Sequence, residues 1–307
     1  MQIGTAFLFD RATRQMTGLS SSAARLQAEI ATGKRIQTPS DDPVSAGRVA
    51  RLERLDADDS RYLDNLKLAT SILGQSDRAL ESVETQLQRA SELAIAAANE
   101  TLNDSNRAAI AAELRAIVDD LFRLANSTDL RGAPLFGGSA GAAFTRAADG
   151  TIQFVGTGEA SPIPIGESAT VLVNDNGQRV FGNIPAGAGT TDVFAIVSGL
   201  AAALEPGGSP DPATRQATVQ ASIAGIAAAS SQIVTARASV GARSARLEIE
   251  SERLTRARSE NEIERGSLEG VNIEAAITEL QKTMVTLQAA QASFARLTQL
   301  SVFDYIR

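Results

Sequence analysis

Two adjacent acids, Asp41 and Asp42, stand between Pro39 and Pro43 in the stretch "GKRIQTPSDDPVSAG" at residues 33–47. Paired carboxylates can divide the roles of general acid and general base, or hold a hard cation. Either use needs partners. Around this pair no further oxygen ligands recur at loop spacing, and no nearby residue completes an acid–base set. The local alternative is a helix start: Asp42 or Ser40 caps a helix whose first turn holds Pro43, which has no amide hydrogen to satisfy there. Ser40, Asp41, Asp42 and Pro43 are therefore read as a cap and bend, with no catalytic or metal role.

The rest of the chain offers little other chemistry. It has no Cys and no His, which removes thiol nucleophiles, disulfides, the usual zinc ligands and the usual base near neutral pH. The glycines of "FGGSAG" (residues 136–141) and "GTGEAS" (residues 156–161) lack the Gly-Lys-Ser/Thr ending of a phosphate loop and the full dinucleotide spacing, so they are read as turns. Gly33-Lys34 is followed by Arg35 and lacks the upstream glycine. Asn-x-Ser/Thr triplets begin at Asn99, Asn103 and Asn126, short enough to arise by chance. The expectation is a protein that is not an enzyme and carries no cofactor.

The 307 residues are 43% hydrophobic but only 4% aromatic, with no Trp. That composition suits thin helical assemblies with small side chains at their seams better than a thick aromatic core. A net charge of −7 argues against a nucleic-acid partner. No unbroken apolar run approaches the roughly 18 residues of a membrane span, and the N-terminal stretch has neither the basic start nor the apolar core of a signal peptide. No membrane partner is expected.

Periodicity supplies the elements that would carry these residues. Phe9, Ala12, Met16, Leu19, Ala23, Leu26 and Ile30 alternate at spacings of three and four, a heptad seam that stops near Gly33. A second helix starts at Pro43 and keeps that rhythm from Leu52 and Leu55 to Ala97, on the order of 80 Å. "NETLNDSN" (residues 99–106) interrupts it, and a third helix carries Ile110, Leu114, Ile117, Leu121 and Leu124 on one face. Residues 139–191 turn Gly-, Pro- and Thr-rich. There "TIQFV" (residues 151–155) alternates like a strand, and "ATVLVNDNGQRVF" (residues 169–181) reads as a hairpin with Asn176-Gly177 at its turn. A helix capped by Asp192 follows. Then Val219, Ile226, Ile233, Val240, Leu247 and Leu254 fall seven apart in another long helix, with Ile223, Ser230, Arg237 and Ser244 as a weaker second row. The last segment places Ile273, Ile277, Leu280, Met284, Leu287 and Phe294 on a heptad.

The fold expected is mainly α: a long coiled-coil-like rod built from both termini, with a small β-rich insertion in the middle. Its expected parts are a terminal domain (1–38 with 271–307), a helical rod (39–138 with 190–270) and the insertion (139–189). A terminal pair of helices has too little apolar area to be stable alone. Phe7, Phe9, Met16, Phe294 and Phe303 need further neighbours. The seam residues Phe9, Met16, Leu19, Leu26, Ile30, Ile277, Leu280, Met284, Leu287 and Phe294 are therefore read as helix- and subunit-packing positions.

Residues 30–55, "IATGKRIQTPSDDPVSAGRVARLERL", resemble the N-terminal segment of the flagellin superfamily, where a Gly-Lys/Arg-Arg-Ile/Val run precedes an Asp-Asp-Pro helix start. "SVGARSARLEIESERL" (residues 239–254) is similar to the family's return rod helix, and residues 271–306 to its C-terminal helix. The start "MQIGTAFLFD", the form "TPSDDP" (residues 38–43) and the ending "LSVFDYI" (residues 300–306) favour members that join hook to filament over filament flagellins. The resemblance implies an inner coiled-coil domain lining an axial channel, rods outside it and an outward-facing insertion. It also implies unfolded export through the flagellar type III apparatus without a cleaved signal, and an extracellular place in the flagellum. The partners implied are copies of itself in a ring, a hook-side hook-associated protein, flagellin, and an export chaperone on the C-terminal heptads. The thin terminal seam implies helices that fold only on assembly. The competing readings are a filament flagellin, a signalling coiled coil and an enzyme built around the insertion.

Overall fold

A computed structural model describes residues 2–138, 141–157, 162–187, 189–208 and 211–305. Parts of both glycine runs singled out above lie outside these, and so does the side chain of Phe303. Among the described residues the chain is mainly helical. The long helices are α1 (Gln2–Thr32), α2 (Pro43–Ala97), α3 (Asp104–Ala125), α6 (Pro212–Glu269) and α7 (Ile273–Tyr305). Between α3 and α6 lie β1 (Phe144–Arg146), β2 (Ile152–Phe154), β3 (Ile163–Pro164), β4 (Thr170–Val171), a short α4 (Gly177–Phe181), β5 (Ile184–Ala186), β6 (Gly189–Thr191) and α5 (Val193–Leu204). The chain forms two compact units. The terminal unit is Met1–Asp58 with Arg256–Arg307, and the central unit is Asp59–Thr255.

In the central unit the heptad rows form the core. Leu66, Leu73, Leu80, Val83 and Leu87 of α2 are all buried, as are Val219, Ile226, Ile233, Val240 and Leu247 of α6. The second row of α6 shifts by one residue: Ser222 and Ala229 are buried, while Ile223 and Ser230 are only partly covered. Arg237 lies in that weaker row and bonds two carboxylates of α2, Asp77 Oδ1 at 3.2 Å and Glu84 Oε2 at 2.7 Å. The α2 row fails early, since Leu55, in the terminal unit, is 43% exposed. One stretch of α6 is, by composition alone, long and apolar enough to cross a membrane. Its heptad row is buried, while Val234 and Ile249 beside that row are 50% and 68% exposed.

The insertion is built differently from its expected form. β1–β2, β3–β4 and β5–β6 are three separate antiparallel pairs. The strand expected at residues 151–155 is β2, and Asp192 caps α5 by accepting from the Ala195 amide at 2.8 Å. The hairpin expected around Asn176-Gly177 does not form. β4 pairs with the earlier β3, Ile163 opposite Val171, and Asn176 instead caps α4, its side chain accepting from the Gln178 amide at 2.9 Å. The composition also misleads about aromatics. Phe136, Phe144, Phe154, Phe181 and Phe194 gather in one cluster with ring centroids 5.1–6.0 Å apart.

Candidate functional site

The bend lies wholly in the terminal unit. Gly33 ends α1 with φ 69°, a left-handed conformation that glycine adopts without a Cβ penalty. The chain then bonds to the far end of α6. Arg35 N donates to Glu269 O at 2.6 Å, Val271 N donates to Gly33 O at 3.1 Å, and Lys34 and Gly270 form an antiparallel bridge between them. Side chains tighten this clasp. Lys34 Nζ pairs with Glu269 at 2.9 Å, and Arg35 Nη2 donates to Leu268 O at 3.2 Å and to Asp42 Oδ2 at 3.3 Å.

Within the clasp the two carboxylates do separate structural work. Asp41 Oδ2 accepts from the amides of Gln37 (3.0 Å) and Thr38 (2.8 Å), pinning the loop. Asp42 Oδ1 accepts from the Ser45 amide at 3.0 Å, and Pro43 opens α2. Asp42 is thus the cap, while the Ser40 hydroxyl pairs with that of Thr38 at 2.8 Å. The Thr38 and then Gln37 amides hold the Asp41 carboxyl below the usual carboxylate range. The Ser45 hydroxyl and amide, with Arg35, do the same for Asp42. Acid–base pairs work by pushing two pKa values apart; here both move down, because each carboxylate is occupied by donors that favour its charged form. No cluster of three or more metal-ligating side chains occurs among the described residues.

These directions fix a pH dependence. A carboxylate whose pKa is lowered on folding stabilises the fold fully above its unfolded value of about 3.9 and loses that contribution as pH falls through the folded value. The bonds that Asp41 and Asp42 accept are expected to loosen in that acid window, seen as lower amide-exchange protection, relative to the intrinsic rate at each pH, at Gln37, Thr38 and Ser45. Asp42→Ala should give roughly several-fold faster exchange at Ser45 near neutral pH, with Gln37 unaffected because Asp41 holds it. Equal exchange at Ser45 in both proteins would remove the capping role.

α1 and α7 pack against each other. They run antiparallel, since the clasp joins Gly33 to Val271 at one end and Phe9 meets Phe294 edge-on at 5.4 Å at the other. Phe9, Met16, Leu19, Leu26 and Ile30 are half-buried, as are Leu280, Leu287 and Phe294. Ile277 and Met284 are 41% and 37% exposed. Among the described side chains, the buried positions of α7 are Ala276 and Thr283, each one residue to the side of an expected position, and those of α1 are Ala23, on the expected row, and Glu29, the latter bonded to Arg25 at 2.8 Å. Large residues at 277 and 284 drew the reading of the sequence to the neighbouring stripe. The intrachain seam combines the small Ala23, Ala276 and Thr283 with half-buried Leu280, Leu287 and Phe294, and leaves Ile277 and Met284 at its edge. Phe7 is 59% exposed.

Comparison with known proteins fits this architecture. Residues 4–141 match the N-terminal helical region of bacterial flagellin, and residues 223–306 match its C-terminal helical region. The chain belongs to the flagellin family. Its similarity to flagellar hook-associated protein 3 of Escherichia coli (strain K12) is 26% identity over 99% of each chain. A flagellin of Clostridium tyrobutyricum is 25% identical, over 50% of this chain and 41% of its own. The crystal structure of the flagellar junction protein FlgL from Legionella pneumophila shares the fold, with a TM-score of 0.62 at 16% identity, covering 73% of this chain and all of that one. This flagellin-family chain is a structural component of the bacterial flagellum and of motility, related to hook-associated proteins and not to a class of enzymes.

Proposed function

We propose that this chain forms the junction ring between hook and filament and presents a matched surface to the first flagellin subunits. The observation that carries this reading is the end-to-end similarity to hook-associated protein 3, set against a match to flagellin over only half the chain. In this reading the terminal segments (1–38 with 271–307) form the polymer core, residues 39–138 with 190–270 form the rod, and residues 139–189 face outward. The half-buried row from Phe9 to Ile30 and the row from Ile277 to Phe294 then gain neighbours from other copies. The exposure of Phe7, Ile277 and Met284 supports this, because the intrachain pair leaves them in water. Export through the flagellar type III apparatus, a chaperone on the C-terminal heptads, a hook-side hook-associated neighbour and terminal helices that order on assembly belong to the same proposal.

Immunogold labelling of intact flagella with an antibody against residues 139–191 tests it. The expected result is a narrow band between hook and filament. Label along the filament would make the chain a flagellin.

A further inference from the structure

The central unit buries more of its rod than its helices can cover. α3 has 22 residues. Folded back on α2 after a short turn, it reaches along α2 only to about residue 75. Yet Leu66, Ala69 and Ile72 on α2, and Leu247 on α6, are at most 2% exposed. Two helices alone leave their seam open along its sides, so something else closes this stretch.

The β3–β4 hairpin is what reaches it. Asn65 Nδ2 of α2 donates to Pro164 O at 2.7 Å. On the other side a Cβ on Gly166 would lie 2.9 Å from Glu250 Oε1 of α6, so the hairpin tip rests against that side chain. Between these two contacts Ile165 is fully buried, and Val171 and Val173 behind it are nearly so. The return strand is held along α6, where Arg243 donates to Leu172 O at 2.9 Å and pairs with Asp175; farther along, Gln232 Nε2 donates to the carbonyls of Val180 in α4 (3.1 Å) and of Gly182 just after it (2.6 Å). From Arg243 to Glu250 the hairpin's own attachments cover about 10 Å of α6.

We propose that the β3–β4 hairpin is a strap that stands in for a third helix over this part of the rod, and that it opens as a unit while the helices stay folded, uncovering the apolar seam of α2 and α6. Its construction separates it from the helices. It has two residue pairs, one containing a proline, and a two-stranded pair of that size is marginal by itself. Its ties to the rod are two side-chain bonds to carbonyls, from Asn65 and Arg243, the Arg243–Asp175 pair and the buried side chains of Ile165, Val171 and Val173. Segments held this way open at lower free energy than the core around them.

The chain has no Cys, so single substitutions give clean reporters. Ile165→Cys places a thiol under the strap, and Leu87→Cys places one in the helical core. With N-ethylmaleimide the strap thiol is expected to react at least about tenfold faster than the core thiol. Adding Arg243→Ala should speed the strap site about tenfold further and leave the core site unchanged. Equal rates at the two sites, or equal acceleration of both, overturns the proposal. Because cysteine could itself weaken the strap, amide exchange on the unsubstituted chain gives an independent reading. The Ile165 amide, bonded to Ala169 O at 2.9 Å, should exchange faster than amides in the middle of α2, and equal protection likewise overturns the idea.

Discussion

Phe181→Ala is expected to lower the stability of the central unit by about 3–5 kcal/mol, the largest effect of any single substitution considered for this chain. Phe181 is fully buried at the end of α4. It meets Phe136 edge-on at 5.2 Å and Phe144 edge-on at 5.5 Å, and it stacks on Phe194 of α5 at 6.0 Å. Truncation removes the ring common to those three contacts. The cavity cannot close easily, because its walls are anchored separately: Phe194 by the capped start of α5, Phe144 by β1, and Phe136 by the Gly177 amide, which donates to its carbonyl at 2.7 Å. Urea unfolding followed by helical circular dichroism would report the loss as a lower midpoint at unchanged slope. A loss below about 1 kcal/mol would mean that the insertion repacks freely, and the cluster would not be what fixes it on the helices.

This cluster was invisible in the sequence, and the reason is physical. The five rings come from a loop, two short strands, a five-residue helix and α5, and no period links them. The long helices were legible for the opposite reason. A row such as Val219, Ile226, Ile233 and Val240 repeats one requirement many times, so its burial can be read from spacing alone. Asn176-Gly177 shows how local signals fail. That pair of residue types suits a tight turn, but Asn and Gly also suit a helix cap and a close backbone approach. At Gly177 a Cβ would lie 2.8 Å from Phe136 O and 2.9 Å from the Phe144 ring. The demand for glycine there comes from a tertiary contact, not from a positive φ. The bend was half legible. Composition pointed to a cap at Ser40 or Asp42, but the choice depended on which oxygen reaches the Ser45 amide, and the clasp to Glu269 and Val271 joins residues more than two hundred positions apart. In the terminal pair, the row of small residues at Ala276 and Thr283 lost to the more apolar neighbours Ile277 and Met284, because hydrophobicity ranks the stripes and helix proximity does not enter.

Asn126→Ala is the second large effect expected, about 2–4 kcal/mol. Asn126 closes α3, and its side chain ties that helix end to the start of β1, eighteen residues onward. Its Oδ1 accepts from the amides of Ala143 (3.0 Å) and Phe144 (2.9 Å), while Nδ2 donates to the carbonyls of Phe122 (3.2 Å) and Phe144 (3.1 Å). Alanine leaves two amides without their acceptor beside the buried Phe144 side chain, where an orphaned donor costs more than the net worth of the bond it lost. Asn126→Asp separates the two halves of the role. The oxygens still face the two amides, but the donors are gone and a negative charge faces two carbonyls, so part of the stability should be lost at pH 7 and partly regained as the carboxyl protonates in acid. Unfolding curves for the two variants at both pH values would show this. If alanine and aspartate cost the same at every pH, the amides of Ala143 and Phe144 are being satisfied by water instead, and the side chain is not the tie between α3 and the insertion. The same geometry makes a second reading of "NST" at residues 126–128 testable: an attached glycan would replace one of the two Nδ2 hydrogens that hold Phe122 O and Phe144 O, so the folded chain is expected to be unmodified at Asn126, and a glycan found there by peptide mass analysis would mean that modification precedes folding of the insertion.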